Sequence, residues 1–184
     1  MKVLFIGGTG TISSACTRLA LEQGVELYLF NRGQTSTDLP AGAHLLQGDI
    51  NNHEEAEALL KGHIFDAVVD WVAFAPEHVE DDLRLFRGRT GQYVFISSAS
   101  AYQTPPRSLP VTEDTPLDNP VWGYSQAKAA CERRLWAARD DGMPVTVVRP
   151  SHTVAPPESA ACSRPFSFTC TRPSPNTFTC HRSE

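Results

Sequence analysis

Val3-Leu4-Phe5-Ile6-Gly7-Gly8-Thr9-Gly10-Thr11-Ile12-Ser13 is the stretch whose reading decides the fold. Val3 to Ile6 form an unbroken apolar run, the pattern of a strand buried on both faces of a parallel sheet. Glycines follow at once, and a helical pattern begins near Thr11. A strand that turns on glycine directly into a helix presents backbone N–H groups at a helix N-terminus, where a phosphate binds well. Gly7 permits the tight turn, and Gly10 lets the backbone approach a pyrophosphate with no Cβ in the way. Ser13 holds the third position of a G-x-x-G-x-x-G pattern and is small enough for helix–strand packing. An ordinary strand-to-helix turn is the plain alternative. The placement between a strand and a helix favours a dinucleotide cradle formed by Gly7, Thr9, Gly10, Thr11 and Ile12.

Outward from this turn the same alternation continues. Strands are predicted at Val3–Ile6, Glu26–Phe30, His44–Gln47, Ala67–Trp71, Tyr93–Ser97 and Val145–Val148, each rich in Val, Ile, Leu or aromatics and bounded by Gly, Asp, Asn or Ser. Helices are predicted at Thr11–Gln23, Glu54–Lys61, Glu77–Phe86 and Tyr124–Arg139. The expected fold is α/β: a doubly wound, Rossmann-like parallel sheet of about six strands with an irregular C-terminal tail. The predicted domain covers 1–154. From 155 to 184 the chain has five Pro, three Cys and no Leu, Ile or Gly, so this tail is expected to be disordered.

Composition narrows the function classes. A chain of 184 residues with 41% hydrophobic content can bury one real core. No apolar run approaches the ~20 residues of a membrane-spanning helix, and Met1-Lys2 leads into a strand rather than a secretory signal. The net charge of −5 speaks against nucleic acid and against an anionic membrane surface as partners. Five cysteines without a C-x-x-C pair give no metal site and no redox pair. A cytoplasmic protein with a small-molecule substrate is the expectation.

The second strand ends Phe30-Asn31-Arg32-Gly33, where an NAD enzyme usually places a carboxylate for the ribose 2′-hydroxyl. An arginine here suits a 2′-phosphate, so NADP is preferred over NAD, with a solvated loop residue as the alternative reading of Arg32. Gly48-Asp49-Ile50 ends the third strand. Asp49 is placed either to accept from the adenine amino group or to cap the helix beginning near Asn52. Val72 and Ala73, after the fourth strand, are expected to line the cofactor.

Tyr124-Ser125-Gln126-Ala127-Lys128 puts a phenol and an ammonium four residues apart, on one face of a helix. A free Tyr titrates near ~10, and a neighbouring cation favours its phenolate, so Tyr124 is a candidate acid/base beside Lys128. A surface pair on an amphipathic helix is the plain reading. The strand ending Phe95-Ile96-Ser97-Ser98-Ala99-Ser100-Ala101-Tyr102 shifts the balance, because it supplies a hydroxyl at the C-terminal end of a parallel strand, where ligands of such sheets bind.

These features together resemble the extended short-chain dehydrogenase/reductase family of NAD(P)-dependent epimerases, dehydratases and reductases. The resemblance rests on the turn at Gly7 and Gly10, on Ser97-Ser98-Ala99-Ser100-Ala101-Tyr102, on Glu113-Asp114-Thr115-Pro116-Leu117 leading to Tyr124 and Lys128, and on Arg149-Pro150-Ser151. It implies that Ser98 orients a substrate oxygen, Tyr124 is the acid/base, and Lys128 binds the nicotinamide ribose. Ser97 is the competitor for the serine role, and Ser151 lies beside the nicotinamide. It further implies a substrate with a hydroxyl or carbonyl to oxidise or reduce, such as a sugar nucleotide, and a homodimer through the Tyr124 helix. Two departures stand out: Trp71-Val72-Ala73-Phe74 replaces a segment that carries His or Asn in many relatives, and the tail replaces the region that closes over substrate. A truncated or frame-shifted C-terminus is expected, with a dinucleotide-binding module lacking turnover as the alternative function and an RNA-binding relative as a third. Cys16 and Cys131 read as core residues, His152 as structural, and Leu135 and Trp136 as core or dimer seam.

Overall fold

The computed structural model describes residues 1–33 and 39–151, together with the backbone of 168–174 and 177–182. The six predicted strands appear as β1 (Lys2–Ile6), β2 (Glu26–Asn31), β3 (His44–Gln47), β4 (Ala67–Asp70), β5 (Tyr93–Ile96) and β6 (Val145–Val148). The four helices are α1 (Ser13–Glu22), α2 (His53–Leu59), α3 (Pro76–Phe86) and α4 (Gly123–Asp140), and a 3₁₀ turn spans Ala99–Ala101. All neighbours among β1 to β6 are parallel, in the order β3-β2-β1-β4-β5-β6. This is the doubly wound Rossmann-like sheet that the alternation predicts.

Side chains along a strand alternate between faces, and here the two faces form two cores. Leu4, Ile6, Phe30, Val68, Tyr93, Phe95, Val145 and Val147 pack against Ala56 of α2, Val79, Leu83 and Phe86 of α3, and Leu135 and Ala138 of α4. Val3, Phe5, Leu27 and Leu29 face the other way, against Cys16, Ala20 and Leu21 of α1. Each such fully buried Leu or Phe contributes about 1.5–3 kcal/mol. Cys131 and Leu135 belong to this chain's own core at 0% exposure, while Trp136 is half-buried against it.

Helix boundaries follow local chemistry. Asn52 caps α2, its side chain accepting from the Glu55 N–H at 3.4 Å, and Pro76 opens α3 where no backbone donor is needed. The cap is therefore Asn52 and not Asp49. Gly8 sits at φ +97°, and Thr17 of α1 donates its hydroxyl to the Gly8 carbonyl at 2.7 Å. That bond docks α1 against the turn.

The segment expected to be disordered contains two strands, β7 (Phe168–Ser174) and β8 (Thr177–Arg182). They pair antiparallel, and β8 runs parallel to β6 for two residues, Thr177 and Phe178. The physical reason lies in the near-repeat Phe168-Thr169-Cys170-Thr171 and Phe178-Thr179-Cys180, because Phe and Thr favour extended backbone. The remainder of the tail, with His152 and Cys162, lies outside the described residues. Among those described, no helix is long and apolar enough to cross a membrane.

Candidate active site

The chain leaves β1 through α1 toward β2 and returns from β3 through α2 to β4, so β1 and β4 lie side by side with connections departing in opposite directions. Open α/β sheets bind ligands at such a switch point, beyond the carboxyl ends of the strands. A cleft of about 400 Å³ opens there. Of the residues predicted to hold a dinucleotide, Gly7, Thr9, Asn31, Arg32, Asp49, Ile50, Val72 and Ala73 line it. Gly10, Thr11, Ile12 and Ser151 are exposed and stand outside that lining.

The glycine turn has three distinct functions. Gly7 lies at φ +99°, and a Cβ on it would meet Val72 Cγ1 at 3.0 Å, so the turn and the β4–α3 loop approach closely only because Gly7 is bare. Gly8, absent from the predicted set, is the packing glycine: its added Cβ would sit 2.7 Å from Leu29 Cδ2. At Gly10 a Cβ would meet only Ser13 Oγ, at 3.4 Å, which leaves that side of the loop open. Ser13 accepts from the Gly10 N–H at 2.9 Å, while α1 itself begins at Ile12 without a side-chain cap or an acidic residue in its first turn. An uncapped, acid-free helix start beside a bare glycine fits an anion.

At the end of β2, the Asn31 side chain accepts from the Gly33 N–H at 2.9 Å and shapes the turn, leaving Arg32 exposed at the cleft. Asp49 accepts from both the backbone and the side-chain nitrogen of Asn51, each at 3.0 Å. Its carboxylate thereby stays at the cleft wall.

The Ser–Tyr–Lys group is assembled by α4 and the segment after β5. Ser97 turns inward and donates to the buried carboxylate of Glu132. Ser98, partly exposed, accepts from the Ser100 N–H at 3.2 Å, and its hydroxyl lies 2.8 Å from that of Ser100. Ser125, buried on α4, donates to Ser100 at 2.9 Å. A chain of three hydroxyls thus ties Ser98 to the residue next to Tyr124. Of the two candidate serines, Ser98 is the one left facing outward.

Lys128 is 4% exposed and donates to the carbonyls of Ala73 and Ile96 at 2.6 and 2.7 Å. Its Nζ lies 5.8 Å from the Tyr124 ring centre. Burial lowers the Lys128 ammonium below its ordinary range, against the opposing charges of Asp70, Cys131 and Glu132. Tyr124 is 38% exposed with the Trp122 ring 5.0 Å away. Burial, first, raises its phenol, with Cys131 as the smaller neighbouring contribution. In the chain by itself, Lys128 does not bring Tyr124 down as expected of it together with a positive nicotinamide: the ammonium is held by backbone carbonyls, and desolvation of the phenol prevails. Cys131, buried beneath both, is pushed up to about 12 by burial and remains a thiol.

Three buried polar groups were missing from the sequence reading. Glu132, 0% exposed, accepts from Arg149 Nε at 3.0 and 3.1 Å and from its Nη2 at 2.6 Å, and Arg149 Nη1 donates to the Tyr102 hydroxyl at 2.9 Å. This pairing fastens the end of β6 to α4 and to the Ser98 segment. Asp70 and Asp82 flank the Tyr93 hydroxyl at 3.1 and 2.7 Å at the base of the cleft, which Asp82 lines. A position signal existed for each, since Asp70 alternates in phase with core-facing Val68 and Asp82 falls on the Val79–Leu83–Phe86 stripe of α3.

Comparison with known proteins agrees with this architecture. The chain is 32% identical over 168 residues to UDP-glucose 4-epimerase of Lactobacillus helveticus, covering 81% of this chain and 51% of that protein. It is 28% identical over 114 residues to the chloroplast stem-loop binding protein of 41 kDa b of Arabidopsis thaliana, covering 55% and 30% of the two chains. Among solved structures, dTDP-glucose 4,6-dehydratase of Bacillus anthracis in complex with NAD superposes with a TM-score of 0.68 at 23% identity, over 81% of this chain and 54% of that one. The chain spans about half the length of the curated epimerases it matches. With residues 3–165 matching the family's model, the chain belongs to the NAD dependent epimerase/dehydratase family.

Proposed function

We propose that this chain acts as an NAD(P)-dependent sugar-nucleotide epimerase or dehydratase of the extended short-chain type. The observation that carries the reading is the joint placement of the glycine cradle, the switch-point cleft and the Ser98–Tyr124–Lys128 group along one edge of the sheet. Gly7, Thr9, Gly10, Thr11 and Ile12 hold the pyrophosphate, Asp49 and Ile50 the adenine side, and Val72, Ala73 and Ser151 the path toward the nicotinamide. Arg32, exposed with no carboxylate at the end of β2, favours the 2′-phosphate of NADP. When bound, the dinucleotide supplies hydride exchange with carbon.

The chain's own residues supply the proton chemistry. Ser98 accepts from the Ser100 N–H; with Ser125 donating to Ser100 and Ser100 donating in turn to Ser98, the Ser98 hydroxyl donates to a substrate oxygen. Tyr124 exchanges a proton with that oxygen, and its raised phenol makes it a proton donor in the free protein. Lys128 spends two of its three N–H groups on carbonyls and offers the third to the ribose.

The remaining parts of the reading are a cytoplasmic location, a homodimer through α4, and no nucleic acid as partner. The similarity to a stem-loop binding protein favours an RNA reading, and the net charge of −5 weighs against it. Salt-dependent binding to a stem-loop RNA would support the RNA reading.

The test is a titration with NADPH and NADH followed by nicotinamide fluorescence, then interconversion of UDP-glucose and UDP-galactose by the same protein. Binding with turnover lost in Tyr124→Phe is the expected result. Turnover that survives Tyr124→Phe overturns the acid/base assignment, binding without turnover identifies a cofactor-binding module, and absence of binding overturns the whole reading.

A further inference from the structure

The loop from Trp71 to Phe74 forms one wall of the cleft, and a single buried carboxylate holds it from below. Asp70, 0% exposed, accepts from the Val72 N–H at 2.8 Å and the Ala73 N–H at 3.0 Å through the same oxygen, Oδ1. Ala73 in turn offers its carbonyl to Lys128 at 2.6 Å. The other oxygen of Asp70 lies 3.1 Å from the Tyr93 hydroxyl, which stands 2.7 Å from Asp82 Oδ2. Tyr93 is 0% and Asp82 4% exposed. We propose that Asp70 is a positioning residue for the candidate site, setting the loop that presents Ala73 to Lys128, and that Asp82 and Tyr93 lock Asp70 in place. This rests on the reading of Lys128 as the ammonium that meets the cofactor.

The lock depends on one proton. Two ionised carboxylates cannot share a dry pocket at this range without a large cost. Burial first, then the charge of Asp70, drives the Asp82 carboxyl well above the usual carboxylate range. The Tyr93 hydroxyl has one proton for two carboxyls, so filling both hydrogen bonds of the triangle takes a protonated carboxyl, and Asp82 is the one on which burial favours it. Tyr93 is itself raised by burial and by both carboxyls, so it stays a donor.

The groups facing this triangle come from three helices. On α3, Asp81 is paired with His53 of α2 at 2.8 Å and with Arg84 at 2.8 Å, and His78 lines the cleft. From α4, Lys128 interacts with the charge of Asp70, as does the thiol of Cys131, and Glu132 lies within range of Lys128. Lys128, the group whose position the triangle sets, is thus a cation that feels the charge of Asp70. When Asp82 loses its proton, two like charges meet at Asp70. The loop above is then released, and cofactor affinity falls as the pH rises.

The experiment has two independent readouts on the 184-residue chain. NADH is titrated from about pH 6 to about pH 9.5 into the wild type, Asp82→Asn, Tyr93→Phe and Asp70→Ala. Wild-type affinity is expected to drop at the alkaline end, Asp82→Asn to remove that drop, and Asp70→Ala to weaken binding by roughly tenfold or more. The second readout needs no cofactor. The chain has three lysines, Lys2, Lys61 and Lys128, so a ¹³Cε-lysine spectrum, assigned with Lys128→Arg, isolates the Lys128 signal. Besides the titration of its own ammonium, that signal is expected to show a second step with pH in the wild type, to lose that second step in Asp82→Asn, and to move in Asp70→Ala. Should Asp70→Ala fail to fold, Tyr93→Phe must move the same signal. An unmoved Lys128 signal, or a wild-type second step in Asp82→Asn, overturns the inference. A wild type that binds no NADH at any pH overturns the proposed function alone, and the lysine spectrum still decides the inference.

Discussion

Gly8 and Gly10 sit two residues apart in one turn, yet their substitution should fail in opposite ways. A methyl at Gly8 falls at φ +97°, 2.7 Å from Leu29 Cδ2, 3.3 Å from Thr17 Oγ1 and 3.5 Å from Phe5 Cβ. The positive φ costs a non-glycine residue about 1–2 kcal/mol. Forcing a methyl against buried Leu29 and Phe5 adds about 1–3 kcal/mol. Gly8→Ala should therefore lose roughly 2–5 kcal/mol, a large share of a total stability of about 5–15 kcal/mol. With a urea slope of about 1–3 kcal/mol per molar, the midpoint should fall by roughly 0.7 molar or more. Gly10 has no such constraint, since its Cβ would meet only Ser13 Oγ at 3.4 Å. Gly10→Val should keep the midpoint within about 0.5 kcal/mol of the wild type while filling the space a pyrophosphate needs. Urea melts followed by circular dichroism, paired with NADH fluorescence titrations, separate the two losses. A wild-type melt for Gly8→Ala would refute the packing argument, and NADH binding by Gly10→Val would put the cradle elsewhere.

Glu132→Ala strands the buried Arg149 guanidinium and should cost about 3–5 kcal/mol, read as a urea midpoint; the paired change Glu132→Met with Arg149→Met should cost clearly less. Arg32→Ala should weaken NADPH by roughly tenfold or more and leave NADH unchanged, and equal losses for both would remove Arg32 from the 2′-phosphate. Because the folded pKa of Asp82 lies above its unfolded value, the stability it confers is present below the ordinary carboxylate range and is lost as pH rises through the folded value. Urea midpoints should accordingly decline in the wild type as pH rises from the ordinary carboxylate range toward the folded value, and stay flatter in Asp82→Asn.

The fold was legible because its signals are local. Apolar runs such as Val3–Ile6 and Val145–Val148 are bounded by Gly, Pro or Arg, and they mark strands without reference to anything distant. Boundaries moved by a residue or two where caps decide them, as when the Asn52 cap starts α2 at His53 rather than Glu54. The β7–β8 pair was missed for a different reason. A composition poor in aliphatics argued against a core, and strand pairing between Phe- and Thr-rich segments does not require one of its own.

The candidate site divides along the same line. Gly7, Thr9 and Gly10 lie within four residues of one turn, and Tyr124 and Lys128 share one helix face, so spacing alone nominates them. The groups that support them are assembled across the fold: Lys128 meets Ala73 over 55 positions, and Ser97 meets Glu132 over 35. Such partners leave one trace in a sequence, a polar residue in phase with an apolar stripe, as Asp70, Asp82 and Glu132 are. That trace says that a buried partner must exist, because an unpaired charge there would cost too much; it does not say which partner. The direction of the Tyr124 shift depended on that missing knowledge. A lysine four residues away can lower a phenol only if its ammonium faces it, and in this fold the ammonium is held by the carbonyls of Ala73 and Ile96. The direction of that shift is therefore set by the burial of the Tyr124 phenol and by what holds Lys128, not by the Tyr–Lys spacing alone.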